Sequence, residues 1–436
     1  MARTGRGFPA HARAPWPGRT PYAVQVDRQL LWTLGGRVEV DRQLLWTLGG
    51  RVSRDLQLLW EVAPSANRVS DALTGETGPV VYTFRFERRT KANLFLADVT
   101  AAVAGASLEL NNDRTVLRTA SFLIDANAVD DAGDAVTIDP LADHIAVIMD
   151  LLVDGNYHLD IPMGLFLLNV PRKIYTPGGH EMWEVDAADN TMHLLESTTT
   201  STWRVASGQN YVSGANAAGA ILTNQGLTYA LPTTTLTLPV DLSWPPGTPW
   251  AVIVNDLLQG AGMYSHWFDA SGICRSRSRD ALARRTADVT YTGDDYVLVP
   301  ITEEAETTRL ANQVIAIVDD PNRAPLSSVK TNSDPSSPVS TVTLGRTITK
   351  LIRAEAAADQ TTLDTIAQRA LEESASLYRR ATLLTSIDPR LDAHEVYELT
   401  VSGVYTAQQW WCRNWRVALV TGGQMEHTVG KVEAVA

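Results

Sequence analysis

Eight histidines, two cysteines and 49 acidic side chains are the groups from which this 436-residue chain could build a catalytic or metal site. His158, His180 and His193 fall in one stretch, but their spacing matches no zinc-ligand pattern, so histidines on hairpin surfaces are the expectation. Asp130, Asp131 and Asp134 in DDAGDAV offer the oxygen ligands that suit calcium. The loop lacks the EF-hand pattern, and a solvated acidic turn is expected there. Gly430-Lys431 is followed by Val432, where a phosphate loop needs Ser or Thr, and no glycine-rich cradle precedes it. A glycosidase needs two facing carboxylates about 5 to 9 Å apart, and nothing in the sequence singles out such a pair. No G-x-S-x-G elbow and no HExxH helix occurs. Cys274 and Cys412 are too few for a disulfide framework and too far apart in sequence to chelate; they are expected in or near the core. Trp410, Trp411 and Trp415 could stack on a sugar, although core packing is favoured. Strand alternation turns Trp411 away from Trp410, which puts one ring in the core and the other at the surface or an interface. The chemistry thus points to no enzyme, no cofactor and no metal.

The elements that would hold these residues are mostly strands. Val26–Val38 reads VDRQLLWTLGGRV, Val40–Val52 repeats the same thirteen residues, and Ser53–Val62 carries a degraded third copy. Trp32, Trp46 and Trp60 recur every fourteen residues, an even spacing that puts all three on one strand face. Three-residue loops, or copies side by side from different chains, keep the apolar faces in register; a two-residue Gly-Gly hairpin does not. Three strands alone leave a Trp-lined face uncovered, so these tryptophans are the candidate partner contacts, facing either the body of the protein or another subunit.

Residues 64–78 read as a linker, and 79–200 as one antiparallel β domain with a hairpin turn at Asp154-Gly155-Asn156. Within 201–310 a helix is expected from about Pro249, with Trp250, Ile253, Val254, Leu257 and Leu258 as its apolar stripe and Gly260 as its stop. SHWFDASGICRSRS (265–278) reads as strand, turn, strand, making this a small α+β domain. Residues 311–436 read as a second β-rich unit. It has a strand at 312–320, a polar loop at 327–340, a helix from about Thr362 to Arg380 and three closing strands.

Length allows two to four domains, and 44% apolar residues suffice for a sizeable core. Net charge is −12, unevenly spread: residues 1–62 hold nine Arg against five acids, a net of +4, and the remaining 374 carry −16. An acidic body repels phosphate, which argues against a general nucleic-acid clamp. Residues 1–22, rich in Arg, Gly and Pro and without an apolar h-region, read as a flexible basic arm rather than a secretory signal. No apolar run approaches the roughly 20 residues of a membrane span.

Several segments resemble a known family. LADVTAAVAGASLELNNDRTVLRTASFLID (96–125), IPMGLFLLNVPRKI (161–174) and VDAADNTMHL (185–194) resemble the first barrel of phage tail hub proteins. TPWAVIVNDLLQGAGMYSHWFDASGICRSRS (248–278) is similar to that family's second domain, and 311–346 with 361–399 to its third. The family comprises baseplate hubs of contractile phages and tail-associated proteins at the tip of long flexible tails. The resemblance implies an α+β, mainly antiparallel β chain with two tail-tube-like β-barrel domains, a small α+β domain between them and, here, an N-terminal β-repeat extension that departs from the family pattern. It implies a homotrimer at the virion tail tip, synthesised in the host cytoplasm, with the distal tail protein and tape measure as neighbours and DNA only in passage. The rival expectations are a receptor- or glycan-binding tail protein using Trp-rich surfaces, and a cell-wall hydrolase built into the hub.

Overall fold

A computed structural model describes residues 80–432 apart from 130–132, 140, 154–156, 176–180, 281–284, 293–296, 306–309, 320–323, 355 and 377–378. The first β section contains β1 (Val80–Arg89), β2 (Phe95–Asp98), β3 (Val103–Asn111), β4 (Arg118–Asp125), β5 (His144–Val153), β6 (Tyr157–Tyr175) and β7 (Glu181–Ala188). Their alternation sets the buried side. In β4, Arg118, Ala120, Phe122 and Ile124 point inward while Thr119, Ser121, Leu123 and Asp125 point away. The expected hairpin exists: β5 and β6 pair antiparallel up to Val153 opposite Tyr157.

The middle section carries α1 (Thr191–Glu196), β8 (Trp203–Val205), α2 (Ala218–Asn224), β9 (Leu242–Trp244), α3 (Trp250–Gly260), β10 (Trp267–Phe268) and β11 (Cys274–Arg275). The stripe expected on α3 is its buried face, with Ile253, Val254, Leu257 and Leu258 packed on Val205, Tyr211, Ile221 and Leu238. The helix ends at Gly260, where the sequence placed its stop. A Cβ there would lie 2.2 Å from the Ala356 carbonyl oxygen, so close approach is what Gly260 supplies, while Gly262, at φ +73°, makes the left-handed turn. The β10–β11 turn is the expected Asp-Ala-Ser-Gly: Asp269 Oδ1 accepts from the amides of Ser271 and Ile273, and Gly272 sits at φ +74°.

Then come β12 (Val289–Thr292), β13 (Val297–Ala305), β14 (Gln313–Val318), β15 (Leu326–Thr331), α4 (Thr341–Leu344), β16 (Thr349–Arg353), α5 (Gln360–Ser376), β17 (Arg379–Ser386), β18 (Val396–Val401), β19 (Tyr405–Ala418) and β20 (Gln424–Lys431). The start of the polar stretch expected as a loop at 327–340 is instead part of β15, paired with β14 from Leu326–Val318 to Thr331–Gln313. Its Ser and Lys content hides the strand because only one of its faces is covered. β14 is the centre of a three-stranded sheet between β15 and β16, and α5 lies across it, joining Leu363, Ile366, Ala370 and Leu371 to Val314, Ala316 and Val318. Asp359 caps α5 by accepting from the Thr362 amide, and the chain leaves the helix at Ser376, before Arg380 enters β17.

Thirteen strands make one sheet in the order β13-β17-β20-β19-β3-β4-β7-β6-β5-β1-β2, with β18 beside β19 and β12 parallel to β18. The mainly antiparallel β character expected from the sequence is what the chain has. Strand β19 spans both halves. Its first part pairs with β18, and Asn414–Ala418 pair with Asn111–Ser107 of β3. One core cluster takes Phe122, Phe166 and Val185 from the first section and Tyr397, Trp410 and Met425 from the last. The path is open at β2 and β13, and among the described residues no pairing closes it into a barrel. Among those residues no helix is long and apolar enough to cross a membrane.

Candidate assembly surface

The residues singled out for chemistry do not converge. Trp32, Trp46 and Trp60 lie outside the described residues, as do Asp130, Asp131, His180 and the side chain of His158. Among described residues no group of three His, Cys, Asp or Glu could hold a metal ion. All three C-terminal tryptophans are buried, which corrects the expectation of one exposed ring. Trp411 does point away from Trp410, but it packs with Val396 and Val432 and lies 5.9 Å from the guanidinium groups of Arg369 and Arg413. None of the three is free to stack on a sugar. Cys274 and Cys412 are buried free thiols, and burial pushes the Cys412 thiol up to about 12, away from reactivity.

Charge is concentrated instead in a buried polar seam where the three sections meet. Arg118, 2% exposed on β4, donates to the Met163 carbonyl at 2.8 Å and to Asp392 at 3.1 Å. The other Asp392 oxygen accepts from Trp267 Nε1 at 3.1 Å, so one carboxylate ties β4 to β10 and to the loop before β18. Next to it the Tyr264 ring stacks on His394 at 4.0 Å, with Arg279 and Arg369 at 5.1 and 5.2 Å. His394 adopts φ +58°, and its carbonyl accepts from Arg277 at 3.2 Å and Arg285 at 2.7 Å. Burial, followed by Arg279, Arg369, Arg277 and Arg285, holds the His394 imidazole far below its usual pKa, so it is neutral.

The arginine-rich run 275–285 could be taken for a phosphate-binding strip. Its described arginines are used internally: Arg275 pairs with Asp269, Arg277 and Arg285 with Asp288, and Arg279 with the Tyr264 ring. A cavity of about 450 Å³ opens beside them, lined by Trp267, Arg277, Asp288, Asp392 and Glu395. Arg277 is already paired with Asp288 and Asp392 with Arg118, so the cavity presents a neutralised wall.

At its β2 end the sheet leaves an apolar edge unpaired. Strand β1 pairs with β5 along its whole length, but β2 covers its other side only at Glu87–Arg89. Leu94, just before β2, and Phe95 and Leu96, on its two faces, are 65%, 46% and 49% exposed at the open end of the sheet. Proteins ordinarily protect such an edge with charge, proline or a cover. A second patch lies on the side of the small sheet away from α5, where register aligns Val329, Ile315 and Leu351 in one row. Val329 and Leu351 are more than half exposed. Elsewhere the large sheet's outer face carries cross-strand ion pairs such as Arg85–Asp150, Arg172–Glu184 and Arg416–Glu426. These apolar edges form a surface suited to protein contacts, and alternation alone did not reveal them, because an exposed apolar row and a buried one have the same period.

No protein-family model matches the chain, and no curated protein matches it. Among solved structures it is similar to the tail protein from Neisseria meningitidis MC58, at 12% identity and TM-score 0.53, over 80% of this chain and 96% of that one. It is equally similar to the 43 kDa tail protein of prophage MuSo2 from Shewanella oneidensis, at 10% identity and TM-score 0.53, over 80% of this chain and 98% of that one. At such identities the likeness is one of fold. Both are tail proteins, the class to which the sequence resemblance pointed.

Proposed function

We propose that this chain is a structural virion protein, the trimeric hub at the tip of a phage tail, which caps the tail tube and forms part of the conduit for genome ejection. The observation that carries the reading is the fold shared with two tail proteins over nearly their whole length. In this reading 79–200 and 311–436 are tube-like β domains flanking the middle domain 201–310, and three copies make a six-part ring on the tail tube. Two features support it. Strand β19 fixes the first and last β sections in one sheet over one core, as a ring built from paired domains requires. The −16 charge outside residues 1–62 suits a wall that passes DNA without holding it.

The basic arm 1–22 and the Trp32, Trp46 and Trp60 repeats of 23–63, joined to the body by linker 64–78, dock on neighbouring tail-tip chains, with the distal tail protein and tape measure as partners. The role needs no enzyme activity and no cofactor. Cryo-microscopy of assembled tails tests it: three copies at the tip are expected, and six copies, or a position away from the tip, would overturn it. Binding of the purified protein to host cell walls, lost on changing the three tryptophans, would favour the receptor-binding reading instead.

A further inference from the structure

Two histidines far apart in the chain meet at the open end of the sheet. His144 begins β5, and His193 lies on α1. Their Nε2 atoms are 2.9 Å apart, their ring centres 5.2 Å, and their planes 17°. The centre separation exceeds the nitrogen separation by about two ring radii, so the nitrogens lie on the line between the rings and point at one another. A metal bridging them in line would need roughly 4 Å between nitrogens, twice an ordinary zinc–nitrogen bond. The geometry is that of an N–H···N bond between two neutral imidazoles of opposite tautomer.

This bond lies under the turn that carries β2. Arg89 of β1 is the strand partner of His144 and is neutralised by Glu87; Leu167 of β6 is the partner on the other side. Lys91 in the turn is the cation whose charge reaches both rings, and its ammonium donates to the Gln225 carbonyl at 2.6 Å. Asn190, just before α1, donates to the Lys91 carbonyl, and Asn93 donates to that of Ser271.

We propose that His144 and His193 form a proton-sensitive clasp, bonded with no added proton or one and broken by two, whose opening frees α1 and the β1–β2 turn. One added proton gives N–H⁺···N, which keeps the bond. A second leaves two N–H groups head to head beside the Lys91 ammonium, and the contact must part. Burial, the facing ring and Lys91 hold His144 down to about 4, and burial with Lys91 lowers His193. Opening therefore belongs to acid conditions and would loosen the strand that displays Leu94, Phe95 and Leu96. The proposal goes beyond the tail reading and stands whatever becomes of it.

Hydrogen exchange of the full chain tests the clasp. After correction for intrinsic rates, peptides covering 88–98 and 190–197 should lose roughly a hundredfold in protection between about pH 6.5 and pH 4, while a peptide over 118–125 changes far less. His193→Gln keeps a neutral donor or acceptor near that nitrogen and should flatten the dependence. Equal loss in all three peptides, or an unchanged profile in His193→Gln, overturns the proposal. Nitrogen-15 imidazole shifts of the unaltered protein give a second reading should the variant misfold. One protonated and one bare Nε2 at pH 7 is the expected result; two rings titrating independently near 6.5 would defeat the proposal.

Discussion

Arg118 is a buried side chain bonded to Met163 and Asp392 and lying 5.4 Å from the Trp415 ring. Arg118→Ala should cost about 3 kcal/mol in a urea titration, because it takes the donor from the Met163 carbonyl and the cation from Asp392, which keeps only its bond from Trp267. A cost below about 0.5 kcal/mol would mean water replaces it freely. Histidine burial sets the acid limit of stability. His144, His266 and His427 are each held down to about 4, mainly by burial, against an ordinary 6.5. A base with a depressed folded pKa contributes stability that is whole above about 6.5 and is lost as the pH falls towards 4, since the unfolded chain takes up protons first. Asp189 acts the other way: burial raises it to about 6, so its contribution is present at low pH and fades as the pH rises through 6. Counting His193 and His394, also lowered by burial, five histidines stand against three carboxyls raised by it, Asp150, Asp189 and Glu395, and the urea midpoint should fall steadily between pH 6.5 and 4.5. A flat profile over that window would show that these rings titrate normally.

At the scale of elements, α3 and α5 are laid down by apolar stripes, yet their seating depends on small residues. Gly260→Ala would drive a methyl into the Ala356 carbonyl and should destabilise by about 1–3 kcal/mol, seen as a lower thermal midpoint. Ile366→Ala, in the core between α5 and β14, should cost about 2–5 kcal/mol. On the open side of the same small sheet Val329→Thr should change stability by no more than about 0.5 kcal/mol, since Val329 is more than half exposed. A large loss there would mean the patch is covered within the chain. The stretch containing β15 was unreadable as a strand because Ser327, Ser328, Lys330 and Thr331 carry no apolar alternation. Its pairing with β14 makes the strand.

For the whole molecule the edge strand β2 offers the sharpest test of assembly. Replacing Phe95 and Leu96 together with Lys should leave the melting of the isolated chain within a few degrees, because both side chains are already about half exposed. On the hub reading the same change should lower incorporation into tails at least tenfold, counted by quantitative blotting of purified particles. Normal incorporation would remove β2 from the assembly surface while leaving the hub reading to the copy number at the tip.

The sequence by itself determined the local periodicities and the chemistry of short turns. Alternation in 118–125 is β4, the stripe from Trp250 to Leu258 is α3, and Asp269 to Gly272 is the turn of a tight hairpin. These follow from neighbours a few residues apart, whose geometry the backbone fixes. Only the tertiary structure decided that Asn414 lies opposite Asn111, that Arg118 reaches Asp392 across 274 positions, and that His144 faces His193. Those contacts are chosen by which apolar faces bury together over the whole chain. No local period records that choice, because a strand carries the same alternation whether its edge meets β3, another chain or water.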